Sequence, residues 1–465
     1  MRILQISTLD TGGGAEKVAW NLFQAYRQRG HHSWLAVGAK RSDDAEVLVI
    51  PNREPHGRWC RFWWAVHTPS QTLAEHIPGA RHLSRLTRAL SAPGRVLDGY
   101  RGLEDSHFPG TWHLLELHPH PPDVVHCHNL HGGYFDLRAL PWLSHQLPVI
   151  LTLHDAWLLS GHCAHSFDCE RWKTGCGQCP DVSIYPPIKR DASARNWQRK
   201  RNIYANSQLH VATPSRWLMN KVEKSILAPA IIERRVIPNG VDLSVFTPAD
   251  KRTAQAAIGV PTDTDVLLFV GHGTRSNPFK DYDTLQAALA QLAARNRDRE
   301  LLLLCLGEGG PEIRLDRARI HFVTHQEDEM KVARFFQAAD VYLHAAKADT
   351  FPTAVLEALA CGTPVVATAV GGISEQVRDE VTGFLTPQGD AHNMAMRVEQ
   401  VLRDEPLRRR LAENAVAHAR QRFDLVRQVD DYLTWYEHLT KHHREQKTGN
   451  QPRAAIHHQE CPTHG

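Results

Sequence analysis

Two acids and a glycine pair within one short stretch are the residues of this chain best placed to do chemistry. Residues 340–377 read DVYLHAAKADTFPTAVLEALACGTPVVATAVGGISEQV. The run opens on an apolar strand through Val341 and Leu343, breaks at a polar loop ending in Phe351-Pro352, and continues helically through Ala354, Leu356, Glu357 and Leu359. Cys361-Gly362 stops that helix, a second apolar run covers Val365 to Ala367, and Gly371-Gly372 opens another helix. Asp349 then falls in the loop at the strand's carboxyl end, and Glu357 lies further along on the helix. One acid can reach the near side of a ligand and the other its far side. The Gly371-Gly372 turn leaves backbone N–H groups free at a helix start, which suits a phosphate. Strand–loop–helix repeated is the unit of a parallel α/β sheet, whose ligands sit at the carboxyl ends of the strands.

Other candidates stand at other strand ends. After the strand Val266 to Val270 comes GHGTRSNPFKDYDTL, in which Lys280 precedes a helix and is placed to meet an anion, with Arg275 earlier in the same loop. Residues 2–7 read as a strand, Thr11-Gly12-Gly13-Gly14 follows it, and Ala15 to Arg29 reads as a helix with Val18, Leu22, Ala25 and Tyr26 on one face. Such a glycine loop, Gly13 and Gly14 included, lets backbone approach a ligand closely; a plain tight turn is the bland alternative. The strand Pro148 to Leu153 ends in His154-Asp155. A polar pair there suits the edge of an active site, although a structural strand-end histidine would look the same.

Cys163, Cys169, Cys176 and Cys179 are spaced C-x5-C-x6-C-x2-C in a polar, Gly-rich loop. Four thiolates can close a tetrahedral structural zinc site, and the C-x2-C knuckle is its most diagnostic part. Free thiols are the equal alternative, and His162 and His165 are substitute ligands. The same count argues against a catalytic zinc, because four cysteines leave no open position.

The totals narrow the class. With 465 residues the chain has room for two or three domains. A net charge of +3 shows no strongly basic nucleic-acid footprint. MRILQIST reads as a buried strand rather than a leader, and no apolar run reaches the ~20 residues that span a bilayer. Nine cysteines without a leader point to reduced thiols and the cytoplasm. From 51 to 120 the pattern loosens and carries Trp59, Trp63, Trp64 and Trp112 among arginines. There RWCRFWWAV mixes aromatics and Arg as membrane-interface helices do, with Trp63 and Trp64 as anchors and Arg58 and Arg61 for anionic headgroups. Packing of both Trp inside the domain is the other reading.

Taken together, the acid pair, CGTPVV and the Gly-Gly turn resemble the donor-binding signature of the retaining glycosyltransferases of family four. That signature is normally Glu-x7-Glu, and Asp349 stands here in the first position. The resemblance covers most of the chain apart from 51–120 and the tail. It implies a GT-B architecture of α/β class, two Rossmann-like domains facing across a cleft. It further implies transfer of a sugar, with retention, from a nucleoside-diphosphate donor to a glycan or lipid-linked acceptor in polysaccharide or envelope synthesis.

By resemblance, Glu357 holds ribose hydroxyls and Asp349 sugar hydroxyls, while Lys280 and Arg275 contact the diphosphate. His154 faces the reacting sugar, and Gly13-Gly14 lines the cleft near the donor. No divalent cofactor is required by this scheme. The expected organisation is 1–210 for the acceptor side (with the insertion 51–120 and the Cys-rich loop 161–180), and 211–424 for the donor side with the linker. A terminal helix at 425–440 crosses back, and a disordered tail fills 441–465. A cytoplasmic protein at the inner face of the membrane is the expected setting. Two other classes remain, a nucleoside-diphosphate-sugar epimerase of the same architecture and a non-catalytic nucleotide-sugar-binding scaffold.

Overall fold

The structure is a computed structural model that describes all residues except 53–61, 64, 66–86, 88–89, 91–92, 105, 296–298 and 450–465. Short runs rich in Val, Ile and Leu, buried on both faces, form the strands, as parallel sheets require. The first sheet takes β1 (Arg2–Leu9), β2 (His32–Ala39), β3 (Val47–Val49), β4 (Val124–Cys127), β5 (Val149–Thr152), β6 (Leu209–Thr213) and β7 (Ile231–Val236). All its pairs are parallel, in the order β3-β2-β1-β4-β5-β6-β7. The second sheet takes β8 (Asp265–Val270), β9 (Leu301–Leu306), β10 (Ile313–Leu315), β11 (Ala318–Val323), β12 (Val341–His344), β13 (Val365–Thr368) and β14 (Gly383–Thr386). Its order is β10-β11-β9-β8-β12-β13-β14, with only β10 antiparallel to its neighbour.

These orders decide where ligands bind. In each sheet the winding direction reverses once, between β1 and β4 and between β8 and β12. A crevice opens at the carboxyl ends of the strands flanking such a reversal. Gly12–Gly14 follow β1 and His128 follows β4; Lys280 closes the loop after β8 and Asp349 lies in the loop after β12. These residues thus stand at the two crevices that the topology creates.

The domain division differs from the expected one. β7 pairs with β6, so a boundary at 210 would cut the first sheet, and the crossover lies instead near Gly240. There the chain passes from one domain to the other and later returns alongside itself. Val241 N–H donates to Phe423 C=O at 2.8 Å, and Leu425 N–H donates to Val241 C=O at 3.0 Å. Gly240 is pressed against this return, since a Cβ there would lie 2.5 Å from Leu425 Cα. The terminal helix is also longer than expected, Leu425–Gly449, because its apolar stripe continues through Leu439 and Lys447 still reaches the Gln146 carbonyl. The remaining tail lies outside the described residues. No helix among the described residues is long and apolar enough to cross a membrane.

The terminal helix lays Val429, Tyr432, Leu433, Trp435, Tyr436 and Leu439 on the first domain, against Ile3, Val18, Leu22, Tyr26, Val124 and Ile150. Burial of each such side chain contributes about 1.5–3 kcal/mol. Polar tips are satisfied in a buried ladder: Tyr26 OH lies 3.0 Å from Tyr436 OH, which is 2.5 Å from His126 Nδ1. His126 Nε2 is 2.6 Å from Thr152 Oγ1, itself 2.8 Å from Tyr432 OH.

Burial pushes His126 down to about 3 and His154 down to about 4, and it holds His128 well below the usual histidine range. An unfolded histidine titrates near 6.5, so the unfolded chain binds more protons below that pH. The stability these groups contribute is complete above about pH 6.5 and is lost as pH falls toward about 4. The denaturant midpoint should therefore drop steadily between pH 7 and pH 5. A flat profile across that window would contradict the buried neutral histidines.

Candidate active site

Lys280 is fixed by the segment that follows β12. Lys347 N–H donates to Phe279 C=O at 2.9 Å, and Lys280 bridges Ala346. Lys280 Nζ then lies 2.8 Å from Asp349 Oδ2, and His344 Nε2 is 3.2 Å from the same oxygen. Tyr342 OH stands 2.8 Å from His344 Nδ1 behind them. Burial alone would raise the Asp349 carboxyl, but the Lys280 ammonium and the His344 hydrogen bond hold it well below the ordinary carboxylate range. The result is an ionised acid and a cation side by side, largely shielded from water.

The Gly371-Gly372 turn is built against this pair. Gly371 has φ +56°, and a Cβ there would lie 1.8 Å from the Asp349 carbonyl oxygen. A Cβ on Gly372 would lie 2.0 Å from the Thr350 carbonyl oxygen. Only glycine lets the two loops meet so closely. The helix that follows is short, Ile373–Gln376, so any anion here would meet individual N–H groups rather than a long helix dipole. Its Glu375 crosses the cleft and accepts from Arg216 N–H at 2.8 Å and Trp217 N–H at 2.7 Å.

Glu357 sits on the helix Thr353–Cys361, which Gly362 ends in a left-handed conformation, and is 4% exposed. Its Oε1 is 2.8 Å from Lys17 Nζ of the other domain. Arg275 is engaged elsewhere. Its guanidinium pairs with Glu308 at 2.7 Å, and its Cζ lies 4.6 Å from the Phe322 ring centroid.

Across the cleft, Gly13 caps the helix Gly14–Gln28 without a side-chain hydrogen bond, and Gly14 has open space where a Cβ would be. His154 Nε2 lies 3.0 Å from His128 Nδ1, and His128 Nε2 lies 3.0 Å from Gln5 Oε1. Asp155 Oδ2 is held by His131 Nε2 at 2.7 Å. Held near 4, His154 is neutral at physiological pH. The loop after it reaches the opposite domain, where the Phe167 ring stacks on Phe279 at 5.9 Å.

The four cysteines of the loop after His154 lie near one another, since Cys163, Cys176 and Cys179 each feel the charge of others of the set. All four cysteines are free, and among the described residues no three His, Cys, Asp or Glu side chains are placed to hold a metal ion. Cys176 Sγ instead accepts from Gly161 N–H at 3.3 Å, and Cys179 Sγ lies 3.2 Å from His162 Nε2 and donates to Asp181 C=O at 3.4 Å. Burial pushes the Cys176 thiol up to about 11 and raises Cys163 and Cys179 as well. Elemental analysis of protein purified without chelator tests the zinc expectation directly: about one zinc per chain shows that the loop closes on metal, and none shows four free thiols.

Of the expected residues, the structure brings together Lys280, Asp349, Gly371 and Gly372, places Glu357 on the neighbouring helix and sets Arg275 apart on Glu308. Of the insertion's candidates, Trp63 is half-buried, whereas Trp64, Arg58 and Arg61 lie outside the described residues. Sequence reasoning missed His344, His128 and Lys17. His344 ends β12 and His128 directly follows β4, so strand-end position was a usable signal for both. Lys17 signalled only that it lies in the first turn after the glycine loop.

The same fold occurs in solved structures. Sucrose-phosphate synthase from Thermosynechococcus elongatus superposes with a TM-score of 0.61 at 19% identity, over 95% of this chain and 99% of that one. Anabaena HepE in complex with UDP and glucose gives 0.60 at 17% identity, over 94% and 99%. These likenesses establish the GT-B fold. Among curated proteins, a D-inositol 3-phosphate glycosyltransferase of Nocardioides sp. is 35% identical over 435 residues, 83% of this chain and 90% of the relative. With D-inositol 3-phosphate glycosyltransferase 2 of Catenulispora acidiphila the identity is 38%, and the match spans 39% of this chain and under half of the relative, 45%. The family model described as Glycosyltransferase Family 4 matches residues 12–245, and that described as Glycosyl transferases group 1 matches 250–418. Together these matches cover both domains, and the chain belongs to the group 1 glycosyltransferases, family four.

Proposed function

We propose that the protein moves a sugar from a nucleoside-diphosphate donor to an acceptor hydroxyl with retention at the anomeric carbon. The observation that carries this reading is the Lys280–Asp349 pair seated in the crevice between β8 and β12, against the Gly371-Gly372 turn. An arriving diphosphate meets the Lys280 ammonium and the N–H groups of that turn, which stabilise the charge that develops as the bond from the anomeric carbon to phosphate breaks. Asp349 is then released to accept from sugar hydroxyls, and Glu357 from the ribose. The acceptor oxygen bonds the anomeric carbon on the face the phosphate leaves, and its proton passes to the departing phosphate oxygen. Neutral His154 holds a sugar hydroxyl from the opposite wall. Because side chains supply the positive charge, transfer should survive brief chelation.

The neighbour HepE is described with UDP and with UDP-glucose, so uridine donors are the first to test. The assay is release of nucleoside diphosphate together with a new glycoside whose anomeric proton coupling matches that of the donor. Release without glycoside would favour a hydrolase, and conversion of the donor sugar without release would favour the epimerase.

For the acceptor we favour a carbohydrate carried on a lipid, reached at the inner face of the membrane. The support is the insertion's surface, where Phe62 is 59% exposed, and the helix Pro93–Tyr100, which has no buried residue and presents Val96, Leu97 and Tyr100 to solvent. Arg95, Arg101 and Lys189 stand by that helix, with Lys189 Nζ 4.1 Å from the Tyr100 ring centroid. Apolar groups rimmed by cations suit an anionic membrane surface. Leu97→Ser with Tyr100→Ser should release the protein from anionic liposomes without lowering its melting temperature. Undiminished sedimentation with the liposomes would sink the membrane reading.

A further inference from the structure

The first turn of the helix Gly14–Gln28 carries a lysine that the chemistry above does not use. Lys17 N–H donates to Gly13 C=O at 2.9 Å, so the glycine loop sets where this residue begins. Its side chain leaves the amino-terminal domain, and Nζ stands 2.8 Å from Glu357 Oε1 and 2.9 Å from Glu329 Oε1, on two helices of the other domain. Phe246, beyond the crossover, covers the ammonium with its ring centroid 4.9 Å away. Lys17 is the one cation in ion-pair distance of Glu357 among the described residues. It takes a single oxygen of that carboxylate, and Oε2 has no hydrogen-bond partner among the described residues.

A glutamate's terminal torsion is broad, so a carboxylate held by nothing samples many orientations. A cation bound to one oxygen fixes the plane and presents the other in a set direction. Charge-assisted hydrogen bonds are also shorter and stronger than neutral ones, which makes this hold a firm one. Because the cation comes from the opposite domain, the orientation exists only while the cleft is closed. Contact with Glu329 widens the grip, since Glu329 opens the helix Glu329–Ala338 directly after the loop that follows β11.

We infer that Lys17 is a positioning residue for transfer: from the acceptor-side domain it holds Glu357 Oε1 so that Oε2 is offered to the ribose hydroxyls of the donor, which couples domain closure to the grip on the nucleoside. This rests on the reading of Glu357 as the ribose contact. It assigns to the amino-terminal domain a part in donor recognition, although Lys17 itself touches only protein.

The test compares ribose with deoxyribose. Calorimetry gives the dissociation constants of the tightest-binding nucleoside diphosphate among UDP, GDP and ADP, and of its 2′-deoxy and 3′-deoxy forms. In the wild type, loss of the hydroxyl that Glu357 accepts should weaken binding about tenfold to a hundredfold, as a hydrogen bond to a charged group implies. In Lys17→Met that ratio should shrink to about threefold or less, while the deoxy compound binds both proteins alike; Lys17→Arg should restore most of the ratio. Melting temperatures establish that the variants are folded, and Lys17→Gln serves if the methionine variant is not. A wild type that discriminates and a folded variant that discriminates equally would leave Lys17 a mere strut between domains and overturn the inference. A wild type indifferent to the hydroxyls would overturn the reading of Glu357 itself, and the inference with it.

Discussion

Lys280→Ala should lower kcat/KM for transfer by about a hundredfold to a thousandfold, the loss that follows removal of one preorganised donor to developing negative charge. It should also destabilise the fold, because it strips Asp349 of its counter-ion. Both side chains are largely shielded, with Lys280 13% and Asp349 19% exposed, and breaking such a pair leaves an uncompensated buried charge. Removal of one partner from a buried pair costs about 3–5 kcal/mol, and partial exposure together with the remaining His344 contact places this case at or below the lower end. Stability and chemistry separate in the double variant Lys280→Met with Asp349→Asn. Removing both charges should recover most of the denaturant midpoint while transfer stays lost. Should the double variant recover activity as well, Lys280 would have no part in handling the diphosphate.

Gly371→Ala should be the most damaging single methyl group in the carboxyl-terminal domain. The residue combines φ +56° with a Cβ position 1.8 Å from the Asp349 carbonyl oxygen, so an alanine must push the Asp349 loop away from the turn. An L-residue in that conformation costs on the order of 1–3 kcal/mol before the clash is counted. Displacement of Asp349 by 1 Å is of the size that lowers turnover about a hundredfold when reacting groups are misaligned. Gly14→Ala is the control. Nothing lies within 4 Å of its Cβ position, and alanine is a better helix former by roughly 1 kcal/mol, so stability should hold or rise. Equal tolerance at both positions, measured by melting temperature, would contradict the packing of the turn on the Asp349 loop.

Much of this site was legible from residue order because it depends on strand ends. Asp349, Lys280 and His154 each follow an apolar run, directly or across one loop, and a parallel sheet delivers such positions to one edge whatever the details of packing. Local punctuation was equally readable: Gly362 stops the helix bearing Glu357 by its left-handed conformation. Relations between distant segments were not. The pairing of Lys17 with Glu357 spans the two domains and depends on their approach, which no local pattern encodes. The engagement of Arg275 by Glu308 follows from β8 and β9 being neighbours in the sheet, and neighbours are set by strand order rather than by spacing. β7 escaped because IIERRV mixes charged and half-exposed residues at a sheet edge, so neither face reads as apolar. In the cysteine loop the C-x2-C spacing was readable, whereas the contacts of Cys176 with Gly161 and of Cys179 with His162 and Asp181 were not.

The central claim is that the crevice between β8 and β12 receives a nucleoside diphosphate on Lys280. Calorimetric titration of the wild type and of the Lys280→Met, Asp349→Asn double variant with UDP, GDP and ADP tests it most directly, once the melting temperature of the double variant establishes that it is folded. At least one nucleotide should bind the wild type and bind the double variant at least about tenfold more weakly, as loss of a charge-assisted contact implies. Failure of all three to bind the wild type, or equal affinity for both proteins, would contradict the account.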